Sequence, residues 1–250
     1  MTARWSFEAL AVEQFKSNKY ERNFFDYEMK ASQNYYYANF LIDDLKKDLQ
    51  ECQKAKTDSN ELENNFKKLN YYIEQLSGLT GYAVPGNIKT ALNQEKLDSA
   101  TAKETVFYLD LLVRRFRGFT KEEKALKDAV SDSIVNAIGL EGYVKLKDSY
   151  YNNRLADILL NNEVPAKSLE MPTRIIQKFE PVFMKPVSIN GRAHFYAPYK
   201  VVGNLKIDTY LFNLTVIWIV SLILYVTLYF NLLRKLVTYF GTLELKESGN

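Results

Sequence analysis

The chain has 250 residues, 47% hydrophobic and 25% charged, the composition of a foldable, mostly water-facing protein of one large domain or two small ones. A net charge of +3 argues against a nucleic-acid-binding surface, since the most basic stretch, Arg114, Arg115 and Arg117, is too short to form a groove. One cysteine, Cys52, leaves no intrachain disulfide, and with His194 as the one histidine a zinc site of the usual ligand types is excluded.

The N-terminal stretch is apolar but is interrupted by Glu8 and Glu13, so it is not a signal peptide. Arg4, Trp5, Phe7 and Leu10 mix basic and apolar character in the way of a helix lying at a lipid headgroup boundary. Packing on a soluble bundle would explain the same residues. Residues 1–19 therefore predict a re-entrant or interfacial helix.

From about 20 to 162 the chain is free of proline except at Pro85, and a helical bundle is expected there. Three apolar stripes repeat at 4-3-4-3 spacing: Ala38, Ile42, Leu45, Leu49, Cys52; Leu62, Phe66, Leu69, Ile73, Leu76; and Ala102, Val106, Leu109, Val113, Phe116. Each covers about two heptads, too short for a long coiled coil and right for bundle helices. Asp58-x-x-Glu61, Thr101-x-x-Glu104 and Thr120-x-x-Glu123 read as capping boxes at helix starts. A later helix over about 140–161 is expected to bury Val144, Tyr151, Leu155 and Ile158, and Cys52 to fill apolar core.

Five of the six prolines fall between Pro165 and Pro198, so 163–209 predicts an extended linker. Alternating apolar residues around Asn190-Gly191 predict a hairpin turning there. Phe183, Phe195, Tyr196 and Tyr199 would pack near the membrane surface.

No charge occurs between Asp208 and Arg234, and fifteen of the 23 residues in Leu211–Leu233 are Leu, Ile, Val or Phe. At about 1.5 Å per residue this segment reaches roughly 34 Å, enough to cross a hydrocarbon core of about 30 Å. It lacks the polar stripe of a soluble helix. A transmembrane helix over 210–235 and a cytoplasmic tail over 236–250 are expected. Trp218, Ser221, Tyr225 and Tyr229, at 3-4-4 spacing, form a transmembrane packing face. Asn213-Leu-Thr215 matches a glycosylation acceptor, but its place at the membrane edge argues against use.

Candidate catalytic patterns fail. Gly81-x4-Gly86 with Lys89-Thr90 lacks the lysine directly after the second glycine that a P-loop requires. His194 has no nucleophile pattern nearby, and the adjacent pairs Asp43-Asp44 and Glu122-Glu123 point in different directions on a helix. No catalytic, cofactor-binding or metal residue is assigned.

Arg4-Trp5-Ser6-Phe7-Glu8-Ala9-Leu10, ending at Gln14-Phe15, resembles the short helix before the last transmembrane helix of White/ABCG-type ATP-binding-cassette transporters. That pattern runs Arg, aromatic, any residue, aromatic, Glu or Gln, Ala-Leu, then Asn-Glu-Phe; Glu13 here departs from its Asn. The terminal apolar helix followed by Arg234-Lys235 is similar to the end of such permeases. About 15 residues at the start and 45 at the end carry the resemblance, and the region between looks like the enlarged extracytoplasmic insertion of bacterial relatives.

The resemblance implies that Arg4, Trp5, Phe7, Glu8, Leu10 and Phe15 belong to an outer-gate helix. It places the helical domain outside the cytoplasmic membrane and the C-terminus in the cytoplasm. It also implies the remaining permease helices, a homodimer, and an ATPase domain carrying ATP and Mg separately, so that the chain is a truncated or split part of a transporter and not itself an enzyme. The alternative expectation is a tail-anchored helical scaffold with its domain in the cytoplasm. Flanking charges tie, with Arg192, Lys200 and Lys206 on one side and Arg234, Lys235 and Lys246 on the other; the immediate Arg234-Lys235 tips the balance towards a cytoplasmic C-terminus.

Overall fold

A computed structural model describes residues 2–53, 59–92, 97–161 and 163–231. The protein is mainly α, with two small antiparallel strand pairs and one apolar C-terminal helix. Helix α1 (Thr2–Lys16) leads through a 3-10 turn at Glu21–Asn23 into α2 (Phe25–Tyr36). A π-helical turn at Tyr37–Leu41 joins α2 to α3 (Ile42–Cys52) without breaking the rod. Then come α4 (Ser59–Thr80), the short α5 (Gly86–Ala91), the long α6 (Ser99–Tyr150) and α7 (Asn153–Leu160).

The three heptad stripes meet in one core. Ile42, Leu45 and Leu49 of α3, Leu69, Ile73 and Leu76 of α4, and Leu109, Val113 and Phe116 of α6 are all buried. Cys52 sits at the edge of this core, half-buried, and burial pushes its thiol up to about 12. A second, smaller core joins Phe15 of α1, Phe25 of α2, Leu159 of α7 and a 3-10 turn at Pro181–Phe183.

Several helix boundaries differ from the sequence expectation. Asp98, not Thr101, caps α6, its carboxylate accepting from the Thr101 amide at 2.7 Å. Thr120 begins no helix. It lies within α6 and its hydroxyl donates to the Phe116 carbonyl one turn back. Asp58 lies outside the described residues. The expected helix over 140–161 is split: α6 stops at Tyr150, and Asn152 caps α7 by accepting from the Leu155 amide. Val144, in α6, is exposed; the break before α7 shifts the helical phase, so Ala156 and Leu159 are buried, Tyr151 and Leu155 are half-buried and Ile158 is exposed. Upstream, Gly139 bends α6 with φ 76° and ψ 164°, a combination almost reserved for glycine.

The linker contains two hairpins, neither at Asn190-Gly191. β1 (Ser168–Met171) pairs with β2 (Arg174–Gln177), and β3 (Tyr199–Val202) with β4 (Leu205–Asp208). Gly203 takes the positive φ of 60° needed between β3 and β4. The segment around Asn190-Gly191 instead lines the edge of β3, where the Gly191 amide donates to the Val201 carbonyl at 2.7 Å.

β4 passes directly into α8 (Thr209–Tyr229), a helix of 21 residues with mean hydropathy 2.2, long and apolar enough to span a membrane. It starts two residues before the expected Leu211 and ends at Tyr229, short of Leu233. Phe230 closes the last turn and Asn231 adopts the left-handed conformation at φ 48°, a C-terminal cap. Arg234, Lys235 and the expected tail over 236–250 lie outside the described residues.

Candidate functional site

The head of α8 is fastened to α1. The two helices run antiparallel, since Lys16 pairs with Asp208 at one end while Asn213 meets Trp5 and Glu8 at the other. Glu8, only 2% exposed, is the centre of this contact. Its Oε2 accepts from Lys200 Nζ at 3.1 Å and from Asn213 Nδ2 at 2.8 Å, and its Oε1 from the Tyr196 amide at 3.2 Å. Asn213 also donates to the Trp5 carbonyl at 3.1 Å. Three elements remote in sequence therefore converge on one carboxylate: α1, the β3 hairpin and the first turns of α8. A buried ion pair is tolerable only when its remaining lone pairs and protons are satisfied, and here the peptide amide and the asparagine supply that.

The entry of α8 is braced further. Asp208 caps it by accepting from the Tyr210 amide at 3.0 Å, while its other oxygen pairs with Lys16. Thr209 is buried and donates to the Ala197 carbonyl at 2.6 Å. Gly191, at φ 74°, lets the Phe212 ring approach: a Cβ there would lie 3.0 Å from the ring.

Aromatic rings collect around this junction. Phe7 meets Tyr196 edge-on with centroids 6.4 Å apart, Phe195 and Tyr196 lie at 4.2 Å, and the Arg4 guanidinium sits 4.8 Å over Phe195. The Lys200 ammonium lies 5.4 Å over Phe212 and Lys206 lies 5.5 Å over Tyr199. Phe183, expected near the membrane surface with these rings, is instead buried in the second core against Phe15 and Phe25.

The six residues expected in the outer-gate helix divide by face. Arg4, Phe7 and Leu10 are exposed, Trp5 is half-buried, and Glu8 and Phe15 are buried. Phe15 belongs to the second core, packed on Phe25, Phe183 and Tyr151. The expected packing face of α8 is fully outward: Trp218, Ser221, Tyr225 and Tyr229 are exposed, and Tyr225 stacks on Tyr229 at 6.0 Å. Within α8 only Thr209 and Asn213 are buried by the rest of the protein. Asn213, which matches a glycosylation acceptor, is consumed by Glu8 and is 1% exposed.

Sequence reasoning missed Lys200, Asn213, Lys16 and Asp208. A polar asparagine early in an otherwise apolar helix was the available signal, since such a group needs a partner.

Two further charged clusters lie in the bundle. Lys68 bridges Asp48 at 3.0 Å and Glu170 at 2.8 Å, tying α3 and α4 to β1. Burial pushes Asp48 up to about 7, and one of its oxygens finds no donor. Glu21 is buried beside Glu28, Lys127 and Lys147, and burial pushes its carboxyl up to about 9. His194 donates from Nε2 to the Pro181 carbonyl at 2.8 Å, and burial lowers its pKa. The Gly81–Pro85 stretch connects α4 to α5 as a plain helix-joining loop. Among the described residues, no group of three or more His, Cys, Asp or Glu could hold a metal ion.

No family model, curated protein or solved structure matches this chain.

Proposed function

We propose that this chain is the C-terminal membrane-spanning portion of an ABCG-like exporter permease. In this reading α1 is the outer-gate helix, the bundle is an extracytoplasmic domain, and α8 returns the chain to the cytoplasm. The remaining permease helices and the ATPase domain, with its ATP and Mg, lie elsewhere, and two copies assemble in the transporter. One observation carries the reading. The glutamate of the Phe7-Glu8-Ala9-Leu10 motif is the residue that fastens α1, antiparallel, to the first turns of the apolar helix. A helix so placed lies at the depth where the chain enters the bilayer, with Phe7 and Leu10 facing outward as a headgroup-level helix requires.

The second reading, a tail-anchored scaffold with a cytoplasmic bundle, draws on α8 being the one candidate membrane span among the described residues. Topology separates the two. Lys121 is exposed on α6, and a Lys121→Cys change in a Cys52→Ala background gives a reporter on the bundle. A membrane-impermeant maleimide is expected to label it in intact cells, after permeabilising an outer membrane where one exists. Labelling only after the cytoplasmic membrane is broken overturns the exporter reading in favour of the scaffold. In the complete transporter, replacing Trp5 and Phe7 by Ala should reduce export and leave ATP binding intact.

A further inference from the structure

The strand edge beside the head of α8 carries an exposed apolar surface that the outer-gate reading does not use. Residues 189–191 run along β3: the Gly203 amide donates to the Ile189 carbonyl at 2.8 Å, and Asn190 bridges Val202. With β4 this makes a three-stranded edge. Its level is fixed by two contacts. β4 enters α8 with no intervening residue. The Phe212 ring, in the first turn of α8, and the Val202 side chain both approach Gly191. The edge therefore lies alongside the first turn of the apolar helix, not above it.

At that level Val187 is 90%, Ile189 62% and Leu205 67% exposed. Paired residues share a sheet face and neighbours alternate, so Ile189 and Leu205 project from opposite faces of this edge, with Val187 two residues before Ile189. Isolated exposed apolar residues are ordinary, but an edge apolar on both faces requires an apolar surrounding. Charge narrows that surrounding. Between Lys185 and Ile207 there is no Asp or Glu, while Lys185, Arg192 and Lys206 are exposed. Apolar tips flanked only by cations, at the point where a chain enters a bilayer, match a headgroup boundary, with acyl carbon beneath and phosphate around it.

We propose that this edge seats in the phospholipid headgroup boundary of the bilayer that α8 enters. Val187, Ile189 and Leu205 dip towards the acyl chains, and Lys185, Arg192 and Lys206 meet lipid phosphates. The edge becomes a second footing beside α1, setting the tilt of the bundle over the membrane. The inference rests on α8 spanning the bilayer.

The test uses the full chain with Cys52→Ala and one fluorophore-labelled cysteine at a time: Leu205→Cys on the edge, Ile219→Cys on α8, Lys121→Cys on the bundle. Each is reconstituted in phosphatidylcholine–phosphatidylglycerol vesicles without spin label, with lipids spin-labelled high on the acyl chain to report on Leu205, and with lipids spin-labelled near the acyl terminus to report on Ile219. The Leu205 and Ile219 probes are expected to lose most of their emission to the spin-labelled lipids, and the Lys121 probe none. If Ile219 is quenched and Leu205 behaves like Lys121, the footing is overturned and the membrane reading of α8 stands. If Leu205 is shielded from aqueous iodide yet unquenched by lipid, protein covers the edge and the proposal also falls. An unquenched Ile219 removes the membrane reading of α8 itself, and this inference with it.

Discussion

The core of the bundle and the junction at the head of α8 are held together by opposite means. Apart from the Lys68–Asp48 pair between α3 and α4, the bundle core is apolar side chains from α3, α4 and α6, each stripe local in sequence and each buried by the next. The junction is a carboxylate, an ammonium, an asparagine and a peptide amide, drawn from positions roughly two hundred residues apart. Apolar packing is non-directional and tolerates repacking, whereas a buried charge is held only while all of its partners stay in place. The junction is thus the place where the relative position of two helices is fixed in a single geometry, which suits the boundary between the bundle and a helix apolar on every side.

The largest expected effect tests that contrast directly. Glu8→Ala leaves Lys200 buried without its partner and should cost about 3–5 kcal/mol. Leu109→Ala, at a fully buried position on the α6 stripe, should cost about 2–5 kcal/mol by opening a cavity. The distinguishing readout is the double change Glu8→Leu with Lys200→Met, which removes both charges and should recover part of the loss. No rescue in Leu109→Ala accompanies any change at Lys200. Thermal unfolding of the full chain in detergent, followed by circular dichroism, checks both, and equal losses in the single and double junction variants would contradict the ion-pair account.

The two regions also differ in how far the sequence shows them. Heptad spacing located the core stripes because a helix period of 3.6 puts Leu69, Ile73 and Leu76 on one face whatever the partner. The apolar helix was equally plain, since the lack of charge between Asp208 and Arg234 is a property of composition. The junction was half legible. Glu8 stood out through its motif, but Lys200 and Asn213 carry no local pattern, and only the folded path of the chain brings them to it. Asn190-Gly191 misled for a related reason: the pair is a good turn, but Gly191 is needed where Phe212 approaches, and Gly203 makes the turn instead. Capping boxes at Thr101 and Thr120 failed because the motif is short and helix interiors satisfy it by accident.

A smaller effect concerns two buried carboxyls of the bundle, Glu21 and Asp48. Glu21 holds its proton up to about pH 9 in the folded protein, against an ordinary value of 4.5, because burial disfavours the charged form. The folded state therefore binds more protons than the unfolded state across that window, and stability falls as pH rises through it. Asp48 contributes the same sign, but only up to about pH 7. Between pH 7 and 9 the slope from Glu21 is about 1.4 kcal/mol per pH unit at most. Glu21→Gln mimics the protonated carboxyl and should flatten stability over that range while leaving it nearly unchanged near pH 4. Denaturant titrations at a series of pH values decide this, and a slope identical to that of the native protein would show that Glu21 is charged when folded.

The smallest expected effect concerns two glycines of α6, which share a helix and differ in backbone. Gly139 bends the helix at φ 76°, and past the bend Tyr143 reaches Tyr20, hydroxyl to hydroxyl at 3.1 Å. A Cβ at Gly139 would touch nothing within 4 Å, so the cost of Gly139→Ala is backbone strain alone, about 1–3 kcal/mol. Gly118 lies in regular helix, where a Cβ also meets nothing within 4 Å. Gly118→Ala should therefore stabilise by about 0.5–1 kcal/mol, through helix propensity and a less flexible unfolded chain. The same substitution thus has opposite signs 21 residues apart in one helix. If Gly139→Ala instead raises the melting temperature, α6 runs straight through residue 139 and the Tyr20–Tyr143 contact is not what holds its second arm.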